Sequence, residues 1–243
     1  MKIDYLTVIY RNYDLLDLQI DNFKKRFSGK DYRLIVVDNT PDSEKKEIKH
    51  KDDIDVIVLL ESVPTYDGIS HGQAIDTGLK YCESPIVCIF DTDFFFLNGN
   101  VHEYALEKFS LGYKAVGTSL DDGDGAKILV KKFPQNFENI PCCFGSFYDL
   151  ELAKSNSWVV TPQESHRNSE VNGLVEVGWK IREHILKNNL KTLSWKTDSD
   201  HYGDCFFKNE FDKVMGIHYV AGSHRRWTEN TYNELKTIIN GDY

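Results

Sequence analysis

Two aspartates, Asp91 and Asp93, lie within the run "PIVCIFDTDFFF", which otherwise has the apolar composition of a buried strand. An unpaired carboxylate beside a hydrophobic core is costly, so such residues usually face solvent, pair with a cation or bind a metal. Carboxylate oxygens are the ligands that Mg2+ and Mn2+ prefer. The Asp-x-Asp spacing at the end of a strand therefore favours a divalent metal site, with a solvated loop as the alternative.

The elements before this pair alternate between strand and helix patterns. The β-branched runs "LTVIY" and "RLIVVDNT" flank "DLLDLQIDNFKKRF", whose apolar residues recur at helical spacing. A third strand, "DIDVIVLLES", and a helix, "SHGQAIDTGLKYC", then lead to the strand that Asp91 ends. This alternation predicts an α/β fold with an open, mostly parallel central sheet and flanking helices.

The second half has a more mixed pattern. "AKILVKKF" is a possible strand, and "NIPCCFGSFYDLELAKSN" is a strand or loop that runs into a short helix. "GLVEVGWKIREHILKNNLK" is the clearest helix, with Val177, Ile181, Ile185 and Leu186 spaced for one buried face. "KVMGIHYVAGSHRRW" is expected to be a strand followed by a loop, before a final helix. Because no interdomain linker is visible, we expect one domain over residues 1–243.

Composition narrows the class of protein. The chain has 243 residues, 41% hydrophobic content and a net charge of −9, which argues weakly against a protein that coats nucleic acid. No apolar run approaches the roughly 18 to 20 residues of a membrane span, and the N-terminus lacks a signal-peptide pattern, so we expect a cytoplasmic protein. The five cysteines are odd in number and form no CxxC pair, which predicts reduced structural thiols.

Ligands of open parallel sheets bind at the carboxyl ends of the strands. Asp38 ends the second predicted strand, and Asp91 and Asp93 end the fourth. All three acids are therefore expected along one edge of the sheet.

The order of a strand ending "VVDNT", the helix "HGQAIDTGL" and the strand ending "FDTDF" resembles the GT-A glycosyltransferases, in particular family 2, which transfer a sugar from a nucleotide diphosphate. The resemblance is strongest in residues 5–97 and returns in 174–186 and 214–226. It implies a Rossmann-like nucleotide-sugar half, residues 1–98, and an acceptor-binding half, residues 99–243, that includes a C-terminal loop and helix.

The same resemblance implies roles at the donor site. Asp93 would bind Mn2+ or Mg2+, and Asp91 would contact the donor ribose or a water on the metal. Asp38 matches the residue that hydrogen-bonds the nucleotide base, although an Asx-turn in "DNTPDSE" is an equal alternative. Asp76 stands where the family commonly has Asn in a Gly-x-Ala-x-Asn-x-Gly segment.

Further roles fall late in the chain. His218 resembles the third metal ligand of metal-dependent members, with His224 as a competing candidate. Arg225 and Arg226 would bind the donor phosphates. An acid that begins the helix "GLVEVGWKI" would be the base of an inverting transfer. Glu176 has that place, and Glu170 is held in reserve.

Three functions remain in competition. The first is a metal-dependent glycosyltransferase that moves a sugar, expected from a UDP-sugar, to a hydroxyl of a glycan, lipid or protein. The second is a phage-type DNA glycosyltransferase that modifies hydroxymethylated bases, which a local basic track at Lys131, Lys132 and "HRRW" would favour. The third is a nucleotide-binding protein without transferase activity, because fold does not fix function. The first agrees best with the combined order of the acidic residues, Glu176 and His218.

Overall fold

The protein is represented by a computed structural model that describes residues 1–60, 68–119, 140–142, 144–159, 177–199, 205–219 and 229–241. The elements are numbered along the chain. The strands are β1 (Ile3–Ile9), β2 (Tyr32–Asp38), β3 (Val56–Leu59), β4 (Ile86–Asp91), β5 (Phe94–Phe96), β6 (Ala115–Gly117), β7 (Gly145–Asp149), β8 (Thr192–Ser194), β9 (Lys196–Ser199), β10 (Cys205–Lys208) and β11 (Val214–His218). The helices are α1 (Tyr13–Arg26), α2 (Gly68–Leu79), α3 (Val101–Ser110), α4 (Leu150–Ser155), α5 (Trp179–Lys187) and α6 (Glu229–Asn240).

Seven strands form the first sheet, in the order β3-β2-β1-β4-β7-β6-β8. Strands β3, β2, β1 and β4 are parallel to one another, whereas β7 runs antiparallel to both of its neighbours. β6 and β8 are again parallel. The predicted α/β class with a mostly parallel central sheet is confirmed.

Strand β4 lies in the middle of this sheet and is buried on both faces. Cys88 and Phe90 pack into the cluster on one face, while Val87 and Ile89 pack into the cluster on the other. This is the pattern expected of a central parallel strand covered on both sides. The last residue of this strand, Asp91, therefore lies at the carboxyl edge of the sheet.

The second sheet was not predicted. Its four strands are all antiparallel, in the order β5-β11-β10-β9. Strand β5 begins at Phe94, so only Thr92 and Asp93 separate it from β4 in the first sheet. The two sheets therefore meet at the Asp-x-Asp segment.

Helix α1 is buried on two sides. Leu16, Ile20 and Phe23 pack against the first sheet, while Leu15 and Leu18 join a separate cluster with residues of β5, β11 and α6. The helix thus contacts both sheets, which is why nearly all of its apolar residues are inaccessible to solvent.

One predicted helix face was partly wrong. In α5, Ile181 and Ile185 are buried, but Leu186 is 45% exposed and Val177 precedes the helix. Leu186 directly follows Ile185, and a step of one residue turns a helix by about 100 degrees, away from the buried face.

Two further expectations concern other parts of the chain. The possible strand "AKILVKKF" lies outside the described residues. Cys82 and Cys88 are buried free thiols, as predicted for those two, and Cys143 lies outside the described residues. Within the described ranges, no helix has both the length and the apolar character needed to cross a bilayer.

Candidate metal and donor site

The turn Asp91-Thr92-Asp93-Phe94 joins the two sheets and carries both predicted metal ligands. Asp91 is the last residue of β4, and Phe94 is the first of β5. Strand β11 pairs with β5 so that His218 lies opposite Phe94. This pairing brings a residue from late in the chain next to the two aspartates.

The three side chains form one cluster. The ligand atoms of Asp91, Asp93 and His218 all lie within 4.8 Å of one another. His218 Nε2 is 3.1 Å from Asp93 Oδ1. The Asp93 side chain is only 3% exposed, and the His218 side chain is 17% exposed. The Asp91 side chain, at 27%, is the most accessible of the three.

Electrostatics in this cluster favour a cation. Burial raises the pKa of the Asp91 carboxyl, and the neighbouring Asp93 raises it further, whereas His71 and His218 lower it. Two carboxylates in a site with little water repel each other unless a positive charge lies between them. Two carboxylates and one imidazole are a donor set that suits Mn2+ and is compatible with Mg2+. The residues present therefore fit a divalent metal.

Two residues near the cluster were not foreseen from the sequence. His71, in α2, has its Nε2 atom 3.7 Å from Asp91 Oδ1 and is more exposed than the three cluster residues. The Phe144 ring stacks on the His218 imidazole, with centroids 4.8 Å apart and an angle of 18° between the planes. No pattern in the sequence indicates Phe144, while His71 directly precedes the Gly-x-Ala segment.

Phe94 fixes the end of the turn by packing between two glycines. A Cβ atom on Gly145 would lie 2.6 Å from the Phe94 ring, and one on Gly216 would lie 2.5 Å from it. Gly145 belongs to the first sheet and Gly216 to the second. The absence of side chains at these positions lets the ring of Phe94 contact both sheets.

Asp38 lies at the same edge of the first sheet as Asp91. Asp38 pairs with Ile9 and Asp91 pairs with Val8, from opposite sides of β1, so their backbones are roughly 10 Å apart at ordinary strand spacing. This agrees with the predicted alignment of acids along one edge.

The Asp38 carboxylate already has two partners. Its Oδ1 accepts a hydrogen bond from the Thr40 N–H (2.9 Å), which is an Asx-turn, and its Oδ2 accepts one from the Tyr13 hydroxyl (2.8 Å). The alternative considered from the sequence is thus present. Since an ionised carboxylate can accept about four hydrogen bonds, the contact with a base stays a prediction.

Asp76 links α2 to the segment that follows α4. Its carboxylate accepts hydrogen bonds from the Trp158 N–H (2.9 Å) and the Ser157 hydroxyl (3.1 Å). It also lines a surface cleft of about 390 Å³ together with Asn39 and Ser70. These contacts give Asp76 a structural role, and its role in donor binding stays a prediction.

The remaining predicted site residues lie outside the described part of the chain. They are the candidate bases Glu176 and Glu170, the alternative ligand His224, and the phosphate-binding candidates Arg225 and Arg226.

Comparison with known proteins identified relatives only through structure. No protein-family model matches the sequence, and no curated protein matches it. The mannosyltransferase PcManGT from Pyrobaculum calidifontis, in complex with GDP-Man and Mn2+, matches with a TM-score of 0.51 and 15% identity, over 79% of this chain and 54% of that chain. S. aureus TarS 1-349 matches with a TM-score of 0.46 and 16% identity, over 64% of this chain and 49% of that chain. Glucosyl-3-phosphoglycerate synthase from Mycobacterium tuberculosis, in complex with Mn2+, UDP and glucosyl-3-phosphoglycerate, matches at 0.46 and 19%, over 62% and 57%.

The likeness to the mannosyltransferase shows that this chain has the GT-A fold of nucleotide-sugar glycosyltransferases. The expected fold class is confirmed. The chain spans about half the length of PcManGT and of TarS 1-349, and at these identities the likeness describes the fold.

Proposed function

We propose that the protein is a metal-dependent glycosyltransferase that moves a sugar from a nucleotide-diphosphate sugar to a hydroxyl group. One observation carries the proposal: Asp91, Asp93 and His218, from two different sheets, place their ligand atoms within 4.8 Å of one another. The cluster lies at the carboxyl edge of a GT-A sheet, the edge at which ligands of open α/β sheets bind. A buried acidic pair at that place serves an anionic ligand only when a cation is bound.

Asp91, Asp93 and His218 would bind the divalent cation, Mn2+ or Mg2+. When bound, such an ion neutralises the negative charge that builds on a diphosphate as its sugar leaves. The chain's own residues orient that site. Phe144 fixes the plane of the His218 imidazole by stacking, and the Asp93 carboxylate lies in a nearly water-free position.

The donor nucleotide would bind along the same edge. Asp38 would accept a hydrogen bond from the base, expected to be uracil, and Asp76 would contribute from α2. Arg225 and Arg226 would bind the phosphates through charge-assisted hydrogen bonds. Support for these roles comes from the family resemblance and, for Asp38, from its position one strand away from Asp91.

The transfer would invert the sugar's configuration. Glu176 would act as the base that removes the proton from the acceptor hydroxyl as it attacks the sugar from the side opposite the diphosphate. The acceptor would be a hydroxyl on a glycan, a lipid or a protein. This assignment rests on the resemblance around residues 174–186.

The test is calorimetric titration with UDP and separately with GDP, each with and without Mn2+. The wild type is compared with Asp93→Asn, which removes one charge from the cluster, and with Asp198→Asn, which alters an exposed ion pair with Lys208 in the second sheet. Nucleotide binding should require Mn2+, be lost in Asp93→Asn and persist in Asp198→Asn. If the wild type binds neither nucleotide, the protein is not a transferase of this kind.

The acceptor is then identified with the donor sugar that binds. Product formation is measured with glycan, lipid and protein acceptors, and with DNA that contains hydroxymethylated bases. Transfer to DNA alone would replace the proposed acceptor class with the DNA-modifying alternative.

A further inference from the structure

Gln19 is a polar residue on the buried side of α1. Its side chain is 2% exposed and lies against the Asp91-Thr92-Asp93-Phe94 turn. The side-chain Nε2 group donates one hydrogen bond to the Asp91 carbonyl oxygen (2.7 Å) and another to the Phe94 carbonyl oxygen (3.1 Å). The amide therefore bridges the first and last residues of the turn that carries both aspartates.

The orientation of this amide is determined by the two carbonyls. If the amide were reversed, Gln19 Oε1 would face two carbonyl oxygens and no hydrogen bond would form. In the present orientation, Oε1 is buried and has no hydrogen-bond partner among the described residues. Burying an acceptor without a partner costs free energy. The two hydrogen bonds that Gln19 donates to the turn must offset this cost.

The middle of the turn is fixed from the opposite side. The Tyr219 N–H, just after β11, donates to the Asp93 carbonyl oxygen (2.8 Å). The carbonyl groups of Asp91, Asp93 and Phe94 thus all accept hydrogen bonds, from Gln19 in α1 or from Tyr219 after β11. Of these donors, Gln19 is the one that is a side chain, and it can be replaced without altering the backbone.

We propose that Gln19 is a positioning residue for the metal site: by joining the Asp91 and Phe94 carbonyls, it sets the separation of the Asp91 and Asp93 carboxylates. This inference rests on the proposed function, because it assumes that the two aspartates bind a divalent cation. Without the bridge, both carbonyls lose the donor that joins them, and the peptide planes of the turn are freer to rotate. Rotation moves the carboxylates apart and weakens metal binding, even though every ligand is still present.

The test compares Gln19→Met with Asn22→Leu. Methionine keeps the length and shape of glutamine but donates no hydrogen bond. Asn22 lies one turn further along α1 and is also buried, at 3% exposure. Its side-chain nitrogen makes no hydrogen bond within the described part of the chain, so its replacement by an apolar residue is a matched control. Mn2+ affinity is measured by electron paramagnetic resonance of the free ion, without nucleotide, at a temperature where circular dichroism shows all variants folded.

We expect Gln19→Met to bind Mn2+ about 10 to 100 times more weakly than the wild type, the range seen when residues that orient metal ligands are removed. Asn22→Leu should bind it as the wild type does. A purely structural role for Gln19 would lower the melting temperature of Gln19→Met and leave its Mn2+ affinity unchanged.

The outcomes separate the two proposals. If the wild type does not bind Mn2+, the metal site itself is wrong. If the wild type and Gln19→Met bind Mn2+ equally, the metal site stands and the positioning role is wrong. Should Gln19→Met not fold, Gln19→Asn replaces it, because asparagine keeps the amide but is one methylene too short to reach both carbonyls. Equal Mn2+ affinity in Gln19→Asn would also overturn the role.

Discussion

The Nε2 atom of His218 lies 3.1 Å from Oδ1 of Asp93, although the two residues are 125 positions apart in the chain. Each comes from a different part of the fold: Asp93 follows the central strand of the first sheet, and His218 ends β11 in the second. The cluster exists only when β11 pairs with β5. Formation of the second sheet is therefore a condition for assembling the cluster of Asp91, Asp93 and His218.

We predict that His218→Ala weakens Mn2+ binding by at least about 10 to 100-fold. This is the range seen when residues that only orient a metal ligand are removed. His218 supplies the single nitrogen donor of the cluster, and alanine leaves two carboxylates that repel each other. The measurement is a Mn2+ titration followed by electron paramagnetic resonance. His184→Ala, in α5, is the control, and equal losses in both variants would contradict the prediction.

We predict that Gly145→Ala destabilises the protein by about 1 to 3 kcal/mol, the usual cost of overpacking a core. The new methyl group would lie 2.6 Å from the Phe94 ring, which has no room to retreat because Gly216 is on its other side. Unfolding in urea measures the loss.

The double variant Gly145→Ala/Phe94→Leu supplies the control for this overcrowding. Leucine is smaller than phenylalanine, so the Gly145→Ala change should cost less in the Phe94→Leu background than in the wild type. If the two changes are simply additive, the contact with Phe94 is not the cause.

We predict that the Cys82 thiol is unreactive in the folded protein at moderately alkaline pH. Burial raises the pKa of Cys82 to about 12, and only the thiolate reacts with iodoacetamide. Because the pKa lies above the working pH, the thiolate is roughly one part in a thousand at pH 9. Its reactivity should increase only as the pH approaches 12 or as the protein unfolds.

The measurement is peptide mass spectrometry after brief labelling at several pH values, with and without denaturant. The partly exposed Cys205 serves as the internal reference. Equal labelling of Cys82 and Cys205 in the native protein would show that Cys82 is not buried as described.

We predict that Arg26→Met loosens the C-terminal end of α6. Arg26 Nη2 donates to the carbonyl oxygens of Ile239 (2.9 Å) and Gly241 (2.5 Å), which have no partners within the helix. Hydrogen bonds from a charged group contribute about 1.5 to 3 kcal/mol each, so hydrogen exchange in α6 should become faster. Lys24→Met, which removes an exposed ion pair with Asp53, should leave it unchanged.

Much of the first sheet could be predicted because the patterns that identify its strands and helices lie within short stretches of sequence. The β-branched runs and the helical spacing in α1 identify strand, helix and strand without knowledge of distant contacts. The acids that end β2 and β4 follow from the same pattern, since the carboxyl ends of parallel strands share an edge. The Asp-x-Asp pair could therefore be placed in the fold.

The second sheet could not be predicted because its strands are short and pair across long stretches of chain. Strand β5 is three phenylalanines that read as a continuation of β4, and its partner begins at Val214. The sequence holds one weak indication of the role of Gln19: it is a polar residue among the apolar positions of α1. Its two acceptors belong to a turn about seventy residues later, which no local pattern reveals.

The direct step from β4 into β5 also has a consequence for synthesis of the chain. A ribosome adds about 5 to 20 residues per second, so Asp93 emerges roughly 6 to 25 s before His218 does. During that interval the three phenylalanines of β5 have no strand to pair with and are open to other nascent chains or chaperones. The segment that carries Asp93 is thus open to wrong pairing while the protein is being made.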